Sequence, residues 1–176
     1  MMLPVVRVLI ERAESARFRL VGLAEVLPEA MLDQSQPGDL WSARFHLAHA
    51  LTSDTLSLEL IDGGSPAQFG GWFVELEPRR LAAIEAGAMQ PVRELLDTAA
   101  AERRRMVRAL ATLGPSDLEE TAALPARSAW GEPARITLYQ YLEAWSAHDP
   151  GHEQAIRLAI LARPDLSAVA LARRRR

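Results

Sequence analysis

Apolar residues recur at steps of three and four over four long stretches, and no stretch alternates with the period of two that a half-buried strand requires. In the first, residues 5–26, the stripe is Leu9, Ala13, Ala16, Leu20, Leu23 and Val26. In the second, residues 40–61, it is Trp41, Phe45, Ala48, Thr52, Leu56 and Leu60, with Asp39 as candidate N-cap and Asp62-Gly63-Gly64 as the stop. The third opens at Pro91 and closes at Gly114-Pro115, carrying Val92, Leu95, Leu96, Met106, Val107 and Leu110. The fourth covers residues 137–162, with Thr137 or an adjacent residue as cap and Pro164 beyond its end. Helices with one apolar stripe must bury those stripes against one another. The pattern therefore predicts an all-α fold, a four-helix bundle with a long connection between helices two and three. That connection, residues 63–89, contains Gly70-Gly71 and a short amphipathic piece at 79–86. It is expected to pack across one end of the bundle and limit access to a site there.

A chain of 176 residues, 49% of them apolar, is long enough for one domain spanning 1–176 with a substantial core. The net charge of −3 offers no basic surface for phosphate, which argues against nucleic acid as a partner. No stretch reaches the length of a membrane span, so a soluble cytoplasmic protein is expected. All 20 basic residues are arginine, and the closing "ARRRR" reads as a solvated terminus. Cysteine is absent, so any metal must be held by His, Asp or Glu.

The chain has four histidines, in two groups. His148 and His152 fall in "AWSAHDPGHEQAI", at the i, i+4 spacing that puts two side chains on one helix face. Pro150 and Gly151 lie between them, yet the apolar register persists from Leu138, Tyr141, Leu142 and Trp145 through to Ile156, Ala159 and Ile160. One helix, kinked at Pro150, is expected, with both histidines on its inner face. His46 and His49 fall in "WSARFHLAHAL" on the second helix, His49 closer to the inward stripe. A third imidazole facing the pair would make a three-nitrogen set suited to Zn, Ni, Fe or Cu, with coordination positions left open for water or substrate.

"WSARFHLAHA" resembles the helix-two signature of the DinB/YfiT-like superfamily, and "AHDPGHEQAI" resembles its C-terminal histidine pair through His148, Asp149, His152, Gln154 and Ile156. The resemblance implies a four-helix bundle, often a homodimer, with a divalent metal (Zn, Ni or Fe) held by His49, His148 and His152. It also implies kinship with mycothiol-dependent maleylpyruvate isomerases and with bacillithiol or glutathione transferases. The chain departs from the family pattern in two places. Pro150-Gly151 interrupts the pair, and "HLAH" stands where "HLAD" is common. If His46 is the aligned histidine, His49 takes the acidic position; the spacing from Trp41 favours His49 as ligand.

Two functions of different class follow. The first is a metal-dependent transferase or isomerase that takes a low-molecular-weight thiol as cofactor and acts on a small molecule, with Arg44, Arg135 and Arg157 as candidate anion contacts. The alternative is a non-enzymatic stress-response or binding module whose metal is structural or absent. An HD-type phosphohydrolase lacks supporting carboxylates, and a zincin motif is excluded because Ile156 follows His152 at four residues. Asp54, Asp149 and Glu153 read as helix-surface charges that could instead orient imidazoles. Trp41, Trp72, Trp130 and Tyr141 read as bundle core that could instead line a pocket.

Overall fold

The computed structural model describes residues 2–62, 69–123 and 135–162, apart from the side chains of 62, 69–75, 77 and 123. Helix α1 (Pro4–Val26) opens on proline, where the missing amide has no helical partner to lose. A 3-10 turn (Glu29–Met31) and a loop lead to α2 (Ala43–Asp62). Then come α3 (Phe69–Ala88), α4 (Val92–Leu110), the short α5 (Pro115–Glu119), strands β1 (Thr121–Ala123) and β2 (Arg135–Thr137), α6 (Leu138–Ser146) and α7 (Asp149–Leu161). Helix α2 packs on α4 and α7, and α1 packs on α4, α6 and α7. These helices form the expected all-α bundle, with α6 and α7 sharing its fourth position.

Three local features differ from the sequence expectation. The connection between α2 and α4 is largely the 20-residue helix α3, which runs against α2 instead of crossing the end of the bundle. Pro78 lies inside α3 and disguises it in the sequence. What holds it is burial: Ile84 and Ala88 join Leu47, Ala48 and Leu51 in one apolar cluster. At Gly87 a Cβ would stand 3.1 Å from Thr52 Cγ2, so the bare backbone allows the two helices to approach closely.

The second difference is an antiparallel ribbon in which Thr121 pairs with Thr137 and Ala123 with Arg135. Three residues per strand are too few to show alternation. The ribbon delivers Thr137 as the cap of α6: its hydroxyl accepts from the Gln140 amide at 3.1 Å while the Gln140 side chain accepts from the Thr137 amide at 2.9 Å.

The third difference lies at the proline. The expected continuous helix is two helices, with the break at Ala147 and His148, two residues before Pro150. Proline has no amide for the Ser146 carbonyl, so α6 closes with tighter bonds from Ala147 to Ala144 (3.1 Å) and from His148 to Trp145 (3.2 Å). A new helix starts with the proline in its first turn. His148 keeps helical dihedrals (φ −74°, ψ −48°), which is why the inward register survives the break.

The core is divided by a layer of charge. One apolar cluster gathers Val6, Ile10, Leu58, Met106, Leu110, Leu142 and Trp145; the other gathers Leu20, Leu47, Leu51, Ile84, Leu95 and Ile156. Between them on their four helices lie Arg17, Asp54, Arg103 and Asp149, all buried. Arg17 reaches Asp149 at 2.6 Å and Asp54 at 3.2 Å, and Arg103 reaches Asp54 at 2.8 Å and Asp149 at 3.5 Å. Trp145 Nε1 donates to Asp54 at 2.9 Å, and the Arg103 guanidinium lies over the Trp145 ring. The expectation that Asp54 and Asp149 are surface charges is corrected: each sits within hydrogen-bonding reach of two guanidiniums, which offsets the cost of burying it. Glu153 does serve the surface, pairing with Arg157 at 2.8 Å and Arg19 at 3.3 Å.

Candidate metal centre

The site begins in the loop before α2. Gln36-Pro37-Gly38-Asp39 closes with a bond from the Asp39 amide to the Gln36 carbonyl at 3.0 Å. Proline and then glycine at the two central positions, with Gly38 at φ 86°, suit a type II turn, which needs a residue tolerant of positive φ. The turn fixes Asp39, whose carboxylate accepts from the Trp41 amide at 2.9 Å, from Gln36 Nε2 at 3.0 Å and from His46 Nε2 at 2.9 Å. The Trp41 amide and the His46 ring together hold the Asp39 carboxyl down to about 2. Asp39 is therefore not the N-cap of α2. The Ser42 hydroxyl takes that role, accepting from the Phe45 amide at 3.3 Å.

Helix α2 then carries His46 and His49 one turn apart, and α7 brings His148 and His152 to face them. His49, His148 and His152 each offer a ligand atom, and these atoms lie within 4.8 Å of one another. Ring centroids are 4.8 Å apart for His49–His148, and 4.5 Å for both His49–His152 and His148–His152. The Nε2 atoms of His148 and His152 stand 3.2 Å apart. The three histidines expected from the sequence are thus brought together.

His46 is close but placed differently. Its Nδ1 lies 3.1 Å from His152 Nδ1, and its Nε2 faces Asp39. It stands behind His152, supporting it. Trp41 walls the group, its ring 5.1 Å from that of His49, 5.3 Å from His46 and 6.4 Å from His152. Trp41 therefore lines the site, whereas Tyr141 is core, bonded to the Ser57 hydroxyl at 2.7 Å. Trp130 and the side chain of Trp72 lie outside the described residues.

Burial, and next the charges of His152 and His148, push His49 down to about 2; burial, and next His148 and His46, push His152 down to about 3. Both rings are neutral near pH 7, the state in which imidazole nitrogen can bind a metal. Nδ1 of His49 and Nδ1 of His148 are buried with no hydrogen-bond partner among the described residues. This donor set fits a divalent metal: clustered imidazole nitrogens, those of His49 and His152 neutral near pH 7, and no thiolate.

Two charged groups border the cluster. Asp149 Oδ1 stands 3.7 Å from His148 Nδ1. Burial alone would raise the Asp149 carboxyl, but His148 and the guanidiniums of Arg17 and Arg103 outweigh it and hold it well below the usual carboxylate range. Arg80 of α3 brings Nη1 to 3.5 Å from His49 Nε2. The arginines expected as anion contacts are engaged elsewhere: Arg44 with Asp33 at 2.8 Å, Arg157 with Glu153 at 2.8 Å, and Arg135 with the Thr121 hydroxyl at 2.6 Å. Sequence reasoning missed Arg80, which sits in the helix hidden by Pro78.

A family model described as the DinB superfamily matches residues 12–156. The chain belongs to the DinB superfamily. The match takes in both histidine groups, Asp39 and the whole of the charged layer. No curated protein and no solved structure matches the chain.

Proposed function

We propose that this DinB-superfamily chain holds a divalent metal (Zn, Ni or Fe) on His49, His148 and His152 and works as a thiol-dependent transferase or isomerase on a small-molecule substrate. The observation that carries the proposal is the convergence of three imidazoles, which offer a cation three nitrogens within 4.8 Å of one another. A metal held by three protein ligands keeps positions open and lowers the pKa of a thiol that binds there.

The chain's own residues have three tasks. His49, His148 and His152 bind through nitrogen and stay uncharged, so the positive charge at the site is undiminished. Trp41 packs on the rings and keeps water from one side, which strengthens attraction for an anionic sulfur. Arg80 adds a cation beside His49, with Nη1 3.5 Å from its Nε2. The absence of cysteine means that a thiolate nucleophile must come from an external low-molecular-weight thiol.

The test is to load the protein with Co²⁺ and titrate mycothiol, bacillithiol and glutathione separately. Sulfur ligation gives a thiolate-to-metal charge-transfer band with at least one of them, and His148→Ala abolishes it. A Co²⁺ spectrum that none of the three perturbs refutes thiol chemistry and leaves the non-enzymatic module as the better reading.

A further inference from the structure

The chain Asp39–His46–His152 runs from the loop before α2 to the candidate metal centre. Its links are 2.9 Å from Asp39 Oδ2 to His46 Nε2 and 3.1 Å from His46 Nδ1 to His152 Nδ1. We propose that Asp39, acting through His46, is a positioning residue that fixes the proton of His152 on Nδ1 and so presents its Nε2 lone pair to His148 and His49. The proposal rests on the reading of His49, His148 and His152 as metal ligands.

Donor and acceptor roles fix the order of protons along the chain. An ionised carboxylate only accepts, so the bond to Asp39 places a proton on His46 Nε2. Neutral imidazole carries a single N–H, so His46 Nδ1 then holds a lone pair. Two ring nitrogens at 3.1 Å bond only if one donates; with His46 accepting, His152 Nδ1 carries the hydrogen. His152 Nε2 is left as an acceptor, and it is the nitrogen that stands 3.2 Å from His148 Nε2. The reverse order, with the His46 proton on Nδ1 and donated to His152, would put the proton of His152 on Nε2, remove it as a ligand, and leave a lone pair on His46 Nε2 facing the Asp39 carboxylate. Asp39 is the anchor that selects between the two orders, because its acceptor role is fixed.

The same logic reaches His148. Without metal, His148 Nε2 must donate to His152 Nε2, which leaves a lone pair on His148 Nδ1. That Nδ1 stands 3.7 Å from Asp149 Oδ1, beyond hydrogen-bond distance. To ligate through Nε2, His148 must move its proton to Nδ1, facing Asp149. Loading should therefore invert the tautomer of His148 and leave that of His152 unchanged.

The experiment is long-range proton–nitrogen NMR of ¹⁵N-histidine-labelled protein at pH 8, metal-free and after zinc addition, with zinc affinity measured by competition against a chelator. The metal-free protein should show His46 protonated at Nε2 and His152 at Nδ1, and zinc should switch His148 alone. Asp39→Ala and His46→Phe should leave His152 as a mixture of tautomers and weaken zinc binding about 10- to 100-fold, the usual cost of losing an outer-shell partner. His46→Asn, which restores an acceptor near the position of Nδ1, should recover most of that affinity and the single His152 tautomer. His152 protonated at Nε2 in the metal-free wild-type protein overturns the proposal, as does an Asp39→Ala variant with unchanged tautomer and unchanged affinity. If wild-type protein takes up no zinc, the ligand assignment fails, while the metal-free spectrum still decides the order of protons along the chain.

Discussion

Replacing Asp54 with alanine should damage this bundle more than any surface change. Asp54 has no exposed surface and takes three contacts at once: Arg103 Nε at 2.8 Å, Arg17 Nη1 at 3.2 Å and Trp145 Nε1 at 2.9 Å. Alanine leaves two guanidiniums with Asp149 as their one buried carboxylate among the described residues, and takes the acceptor from a buried indole N–H. Each unsatisfied buried donor costs about 1–3 kcal/mol, but these losses overlap, and breaking a buried ion pair by removing one partner costs about 3–5 kcal/mol in total. That is a large share of a typical stability of about 5–15 kcal/mol. The internal control is Asp97→Ala, which removes an exposed i, i+4 pair with Arg93 whose side chains are 67% and 78% accessible. Its loss should stay below about 0.5 kcal/mol. Urea denaturation at pH 7, in chelator and followed by circular dichroism, measures both. Asp54→Asn keeps an acceptor for Trp145 and should fall between them, providing a folded comparison if the alanine variant is too unstable to study. An Asp54→Ala loss under about 1 kcal/mol would refute the claim that Asp54 is a buried partner of both guanidiniums and of Trp145.

Three further outcomes follow from the structure. Gly151→Ala should stabilise the protein by about 0.5–1 kcal/mol in thermal melts without altering zinc affinity, because a Cβ there meets nothing within 4 Å among the described residues and the residue lies in the first turns of α7. Gly38→Ala should cost about 1–2 kcal/mol because its φ is 86°, and it should also weaken zinc binding because it displaces Asp39. In chelator, stability should fall with acid below the unfolded imidazole value of about 6.5. His49 and His152 stay neutral when folded, held down to about 2 and about 3, so their contribution is complete above the unfolded value and is lost as pH drops toward the folded ones. Unfolding midpoints between pH 7 and pH 4 should trace that decline, and His49→Phe should flatten it.

The parts of this protein visible in the sequence are those that repeat or match a motif. The apolar stripes of α1, α2, α4 and the α6–α7 arm are long enough for their period to show, and His49, His148 and His152 lie in that period. Helix α3 was hidden because Pro78 is a local breaker that tertiary burial of Ile84 and Ala88 overrides. The break before α7 does not show in the sequence, which reads as one kinked helix, because register persists across His148 even though the hydrogen-bond ladder does not. The charged layer could not be read because Arg17, Asp54, Arg103 and Asp149 are far apart in the chain, and each alone looks like a solvated charge. Asp39 was misread as a cap because aspartate before a helix suits that role; only the Gly38 turn and the placement of His46 show its carboxylate turned toward the histidines.

The account stands on metal binding by His49, His148 and His152, and metal content tests this most directly. Protein purified without an affinity tag should contain close to one equivalent of Zn, Ni or Fe per chain by elemental analysis. His49→Ala, His148→Ala and His152→Ala should each lose it while keeping a helical circular dichroism spectrum. Wild-type protein that is free of metal and takes up none on dialysis against Zn²⁺, or metal retained in full by all three variants, would contradict the account.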